Sequence, residues 1–438
     1  MSEPRVVVAH REHLWWLLAE AAQLEHMIMC QYLYAEFSLK DGTADGLTPE
    51  QAAAVDGWRG LLRGIAVEEM LHLALVANLM TSIGAAPGFN RPNFPVRSGY
   101  FPSGVRMELM PFGEQALRHF LYLERPEGME RQDAEGFEPV APPRLPVGED
   151  EIQPRGQEYA TVGHLYRGIE DGLRGLAARI GERALFVGSQ RAQATPQLFR
   201  WPQLIAVTGL ESATAAVEEI IEQGEGARGD WQQAHYGRFL RIWEEYHRLR
   251  EADPTFEPAW PVLPTYTRQP YDRDDEQPVV TDPQALALAE LAGFGYEMVL
   301  QLLLRFFTHT DESDAQLETL IDGAIGAMAD IVRPLATALA RLPAGPEHPG
   351  RTAGFAFEIY YLMSNLTPWR EPAWALLAER TSLLAARCAT TASRLAGTEI
   401  TATIEQAGQR AAGIAAKLRE HVPAELLPPD PQSPSAKE

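Results

Sequence analysis

The sequence predicts an all-α fold, a four-helix bundle with additional helices toward the C-terminus, on three observations. Apolar residues recur at three- and four-residue steps through one long segment after another. These segments start at capping residues or proline and stop at glycine, proline or polar runs. The strict alternation that marks strands is nearly absent.

Taken in order, residues 11–40 read as one long helix, broken by "DGTADGLTPEQ". Thr48 and Gln51 make a capping-box start for a second helix, Pro49 to Ile83, ended by Gly84. Irregular stretches at 87–105 and 125–160 flank a short helix, Pro111–Glu124, and segments this long suit covers over a site. Further helices are expected at Thr161–Ile180, Gly209–Gln223 and Gln232–Arg250. The Pro-rich stretch 252–282 reads as a linker that ends a first domain at residue 251. Beyond it lies a helical region, 283–422, with helices at Pro283–Thr308, Asp314–Leu342, Gly354–Leu366, Ala373–Leu395 and Glu399–Val422. Residues 423–438, rich in proline and serine, read as a disordered tail.

Composition excludes several classes. The chain of 438 residues is 45% hydrophobic and 22% charged, as a globular protein is, and carries a net charge of −22. That acidity argues against nucleic acid or an anionic membrane as partner, because both demand a basic surface. Two cysteines, Cys30 and Cys388, form neither a disulfide framework nor a metal-binding CxxC, so a reducing, cytoplasmic setting is expected. The N-terminus lacks the apolar run of a signal peptide, and no uninterrupted apolar stretch reaches bilayer length.

The chemistry concentrates in "AVEEMLHLALVANLM", Ala66 to Met80, where a helix apolar nearly all round carries Glu68, Glu69 and His72. Buried carboxylates need a partner or a cation. Paired-metal helix bundles draw one carboxylate from each of two helices and Glu-x-x-His from each of the others. This chain offers Glu25 on the first helix, Glu69-x-x-His72 on the second, and Glu218, Glu219, Glu222 and Glu225 on the helix ending in "QGEG". It also offers His235 and, further along, Glu244-x-x-His247, the latter on a charged face that suits solvent. A carboxylate at a helix C-terminus opposes the dipole unless a cation is bound, which makes Glu222 and Glu225 candidates. Glu68 either backs the site or replaces Glu69 within it. His26, Cys30, Tyr32 and Tyr34 lie near Glu25 along the first helix, with Tyr32 on nearly the same face; His26 and Tyr32 are the candidates for a catalytic role.

Five stretches in order, "LEHMIMCQYLYAEFSLK", "IAVEEMLHLALVANLMTSIGAAP", "TVGHLYRGIE", "VTGLESATAAVEEIIEQGEG" and "HYGRF", followed by "RTAGFAFEIYYLM", resemble the ferritin-like family named after iminophenyl-pyruvate dimer synthase. The resemblance implies a ferritin-like bundle and a place in bacterial secondary metabolism, among enzymes of violacein and related bisindole pathways that couple amino-acid-derived imines oxidatively. Carried over by position, it implies Glu25, Glu69, His72, Glu225 and His235 as metal ligands. The family often has a glutamate three residues before that last histidine, where this chain has Gln232. The expectation is therefore a di-iron site, with manganese or a single metal as alternatives and with Glu222 or Glu218 as substitute donors.

The function expected is a non-haem metal-dependent oxidase or oxygenase, with an amino-acid-derived small molecule and dioxygen as partners. A homo-oligomer or another pathway enzyme is the candidate protein partner. The alternatives are a metal-free or structurally metallated binding subunit, and a condensation enzyme using the ion as a Lewis acid.

Overall fold

The computed structural model describes residues 5–97, 99–102, 104–139, 141–226, 231–270, 276–308, 311–360 and 366–427. Two long helices dominate. Helix α1 (Arg11–Ser38) is buried on almost every face of its C-terminal two-thirds. Helix α2 (Pro49–Ser82) starts at the Thr48–Gln51 capping box, with Pro49 at the first turn, and packs along α1. Helix α3 (Glu114–Leu123) is short and amphipathic. Helices α4 (Val162–Ile180) and α5 (Leu210–Gly224) complete a ring of four: α1 against α2 and α4, α5 against α4 and α2. Helix α6 (His235–Ala252) lies against α2, α3 and α5, so α3 and α6 close one side of the bundle.

The C-terminal helices form a second layer. Helix α7 (Pro283–Thr308) packs on α2 and on α8 (Asp314–Ala327). A π turn, Met328–Val332, carries α8 into α9 (Arg333–Leu339), which reaches α1. Helices α10 (Arg370–Arg394) and α11 (Thr401–Arg419) pair with each other and back this layer. By length and composition alone α7 is apolar enough to cross a bilayer, although Glu290, Glu297 and Arg305 interrupt its apolar run. However, 78% of its most apolar stretch is buried inside the molecule, as in the core helix of a globular fold.

The Pro-rich stretch at 252–282 is packed rather than free along its described residues. Strand β1 (Val262–Thr265) pairs in parallel with β2 (Thr352–Phe355). Ahead of it, Lys40 donates to the Pro258 carbonyl and Trp260 to that of Ser38, which fastens the stretch to the end of α1. The helix expected at 354–366 is not formed where it begins, because β2 occupies 352–355; residues 361–365 lie outside the described ones. A Cβ on Gly354 would fall 2.1 Å from the Tyr34 hydroxyl, so a glycine is needed where β2 crosses α1. Of the tail, residues 428–438 likewise lie outside the described residues.

Candidate metal centre

Inside the bundle, Glu25 of α1 faces Glu69 and His72 of α2, whose three-residue spacing puts them on one face of the helix. Glu124, the residue that ends α3, and His235, the first residue of α6, meet them from the open side. The result is two triads, Glu25–Glu69–His72 and Glu69–Glu124–His235, each with ligand atoms within 4.8 Å of one another. Glu69 belongs to both. Its Oε2 lies 3.2 Å from His72 Nδ1 and its Oε1 lies 2.8 Å from His235 Nδ1. Glu25 Oε2 stands 3.5 Å from His72 Nδ1, and Glu124 Oε2 3.6 Å from His235 Nδ1.

The groups behind these five residues fix their orientation. His235 Nε2 lies 2.8 Å from Glu68 Oε2, and Arg238 binds the same carboxylate. His72 Nε2 lies 3.1 Å from Gln223 Oε1, and Gln223 in turn donates to Glu219. Each ring thus gives its Nε2–H to an acceptor and turns Nδ1 toward the carboxylates, the arrangement that holds a histidine ready for a metal. Tyr166 of α4 donates to Glu25 Oε1, and Tyr32 of α1 donates to Glu124 Oε1.

A ferritin-like family model matches residues 18–244, half of the chain. The chain belongs to the ferritin-like family. It is 29% identical over 385 residues to dichlorochromopyrrolate synthase from Lentzea aerocolonigenes, covering 80% of this chain and 36% of that protein. It is 30% identical over 359 residues to 2-imino-3-(indol-3-yl)propanoate dimerase from Chromobacterium violaceum, covering 77% of this chain and 33% of that one. The chain therefore spans about a third of the length of the curated relatives it matches. A ferritin-like protein from Caulobacter vibrioides superposes with a TM-score of 0.46 at 20% identity, over 74% of this chain and 95% of that one.

The electrostatics of this centre suit a cation, whose place protons take in its absence. Burial first, then the Glu69 charge, push the Glu25 carboxyl up to about 8. Burial alone would lower His72, yet the carboxylates of Glu69 and Glu25 hold its ring proton up to about 10. His235 Nδ1 is wholly buried, and despite its short distance to Glu69 it makes no hydrogen bond. An orphaned nitrogen among three buried carboxylates is costly as it stands. The cavity between these residues is ≈ 20 Å³, enough for an ion or a water and too small for a substrate. Oxygen and imidazole donors in this ratio suit iron or manganese.

Of the candidates read from the sequence, Glu25, Glu69, His72 and His235 come together here. Glu68 lies behind His235 as its hydrogen-bond partner, with burial opposed by His235 and Arg238, which hold its carboxyl down at about 2. Glu225 lines the same cavity but gives its oxygens to the backbone N–H groups of Gly163, at 2.9 Å, and Glu127, at 3.1 Å. It sits at the N-terminus of α4, where the dipole favours an anion, and a Cβ on Gly163 would fall 2.3 Å from its carboxylate. Glu222 and Glu218 are exposed on the outer face of α5, so neither reaches the centre. Glu244 is exposed, and His247 hydrogen-bonds the Trp243 carbonyl. Tyr32 touches a triad member, whereas His26 turns away, its Nε2 2.5 Å from the Tyr296 hydroxyl of α7.

Gln232 does not weaken the second triad. It is exposed in the turn ahead of α6, and because the helix begins at His235 the three-residue spacing brings no side chain onto its face. Glu124 supplies that carboxylate instead. Sequence reasoning missed Glu124, Tyr166 and Gln223. For Glu124 a signal was present: a carboxylate closing the C-terminus of a short apolar-faced helix, in "FLYLERPEG".

Proposed function

We propose that this protein is a biosynthetic enzyme that uses a pair of metal ions, iron in the first place, to oxidise an amino-acid-derived small molecule with dioxygen. The observation that carries this reading is Glu69, whose two oxygens face histidines of two separate triads. Glu25 and His72 would hold one ion and Glu124 and His235 the other, with Glu69 between them. Bound there, redox-active metals would relay electrons from the substrate to dioxygen. Tyr166 and Tyr32 hold the outer oxygens of Glu25 and Glu124, so each carboxylate keeps one oxygen free for the centre. Ile28, Leu123, Ile220 and Ile221 line the space around the cluster and limit water. The names of the two relatives, a synthase and an imine dimerase of indole compounds, support oxidative coupling of imines as the reaction.

The test is elemental analysis of protein purified without chelator from iron-supplemented cells. About two metal ions per chain are expected. No metal, even after anaerobic reconstitution with iron or manganese, overturns the reading. A second reading, a metallated bundle serving as a binding subunit, is favoured by the small cavity beside the cluster. Metal-loaded protein that consumes no oxygen with any candidate imine would place that reading first.

Metal uptake is expected to release protons. Below pH about 8 the metal-free Glu25 carboxyl is largely protonated, and below about 10 so is the His72 ring. Both must give up their protons to become donors, so affinity should climb as pH rises toward 8. Titration calorimetry at pH 7 in buffers of different ionisation enthalpy would register this. Heats that do not depend on the buffer would contradict it.

A further inference from the structure

Helix α10, in the C-terminal layer, carries an apolar seam on its outer side. Its inner side, with Trp374, Leu377, Thr381 and Leu384, is buried, and the helix packs on α7 and α11. Trp369, at the N-cap, and Leu376 and Leu383 stand instead at seven-residue steps, which a helix brings into line along one side. Trp369 is 73% exposed, Leu376 39% and Leu383 48%. Leu426, on the turn Ala424–Leu426 that packs against α10, adds another exposed leucine. Neighbouring α11 has no such seam. Apart from alanines, its exposed side chains are Glu405, Gln406, Gln409, Arg410 and Lys417, an outer face made for water.

Arginines flank this seam. Arg380 and Arg387 stand four residues after Leu376 and Leu383, and Arg394 follows one heptad later. Arg380 is half-buried over the Phe294 ring, 5.3 Å from its centroid. Arg387 and Arg394 are exposed and form no ion pair among the described residues. The local charge runs against that of the whole molecule. Between Arg370 and Arg419 seven basic residues stand against four acidic ones, in a chain with a net charge of −22.

The geometry points to the outer side of α10 as a docking surface for an acidic amphipathic helix of another protein. That helix lays apolar side chains on Trp369, Leu376 and Leu383 and sets carboxylates against the arginines. An exposed tryptophan at the end of an apolar row is the kind of anchor on which helix docking depends. Charge selects the occupant. A second copy of this chain sets arginine against arginine if the seams pair antiparallel. Paired in parallel, it offers the three arginines one acid, Glu379, on the other flank of the seam. An anionic bilayer is opposed by the net charge of the whole molecule. Length agrees as well: Trp369 to Arg394 spans about 37 Å, enough for a partner helix of three heptads. None of the five residues of the metal centre lies on α10, so the surface stands or falls apart from the metal reading.

The test uses a fluorescent peptide of three heptads, with leucine at a and d and glutamate at e and g, too highly charged to pair with itself. A control peptide carries lysine at e and g. Titrated with the full chain and followed by anisotropy, the glutamate peptide should bind saturably at low salt and less well at high salt. The lysine peptide should bind about 10-fold more weakly or worse. Leu376→Asp with Leu383→Asp should remove binding of the glutamate peptide. Arg387→Glu with Arg394→Glu should turn the preference toward the lysine peptide. These side chains are exposed, so circular dichroism and metal content should match the parent protein in both variants. No binding of the glutamate peptide, equal binding of the two peptides, or a preference that survives charge reversal overturns the proposal. So does self-association in sedimentation that the leucine substitutions abolish, which would assign the seam to a second copy. Binding to phosphatidylserine vesicles that those substitutions abolish would assign it to a bilayer and equally overturn the proposal.

Discussion

Replacing Glu69 with alanine should empty both metal positions, whereas replacing Glu124 should empty only one. The difference follows from sharing. Without Glu69, the centre is left with Glu25 and His72 on one side and Glu124 and His235 on the other, two donors each, too few for either ion. Without Glu124, the triad of Glu25, Glu69 and His72 is intact. Metal per chain should therefore fall from about two to near zero in Glu69→Ala and to about one in Glu124→Ala. Oxygen consumption should fall on the order of 100-fold or more in both, since even outer partners of ligands are worth 10- to 100-fold. The helical signal in circular dichroism should persist, because α1 and α2 are held by an extensive apolar interface that these substitutions leave in place. A Glu69→Ala protein that keeps a full complement of metal would refute the shared-carboxylate centre.

The second large effect is expected far from the triads. Arg305, near the end of α7, is wholly buried with Glu312, and its guanidinium also donates to the Pro368 carbonyl at 2.9 Å and to Asp311 at 3.2 Å. Trp374 of α10 approaches the same Glu312 at 3.4 Å. One guanidinium thus ties α7, the start of α8 and the entry to α10. Removing it as Arg305→Met leaves Glu312 buried and unpaired, which should cost about 3–5 kcal/mol in urea unfolding. Replacing both, as Arg305→Met with Glu312→Leu, should recover most of the loss, because two apolar groups in contact leave no orphaned charge. A single substitution costing under about 1 kcal/mol would show that water or another group compensates Glu312. Metal content should be unaffected, since none of the five centre residues lies on these elements.

How much of this was legible depended on where each residue stands. Glu25, Glu69 and His72 could be read because they interrupt helices that are otherwise apolar all round, and burial then leaves a charged group few options. Glu124 escaped because it reaches the bundle from outside the four long helices. The inference applied to "QGEG", that a carboxylate at a helix C-terminus needs a cation, was the right physics applied to the wrong helix end. Glu225 answers instead to the N–H of Gly163 at the start of α4, a contact across 62 residues that no local pattern shows. Gln232 misled for a related reason: a three-residue spacing carries meaning only inside a helix, and α6 begins after it. The helix expected from Gly354 does not start there, because the glycine and aromatic content around it suits a strand, which forms beside β1.

The two halves of the centre are built from materials of unequal durability. Glu25, Glu69 and His72 project from the middles of α1 and α2, where backbone hydrogen bonds run unbroken on both sides of each residue. Glu124 caps the end of the short helix α3 and His235 is the first residue of α6, positions where a helix has spent its internal bonds and depends on docking to stay in place. One metal position is thus as permanent as the core of the bundle, and the other as permanent as the grip of α3 and α6 upon it. Loading and loss of metal would follow that order, with the inner position first to fill and last to empty, and with a one-metal form as a natural station between the two.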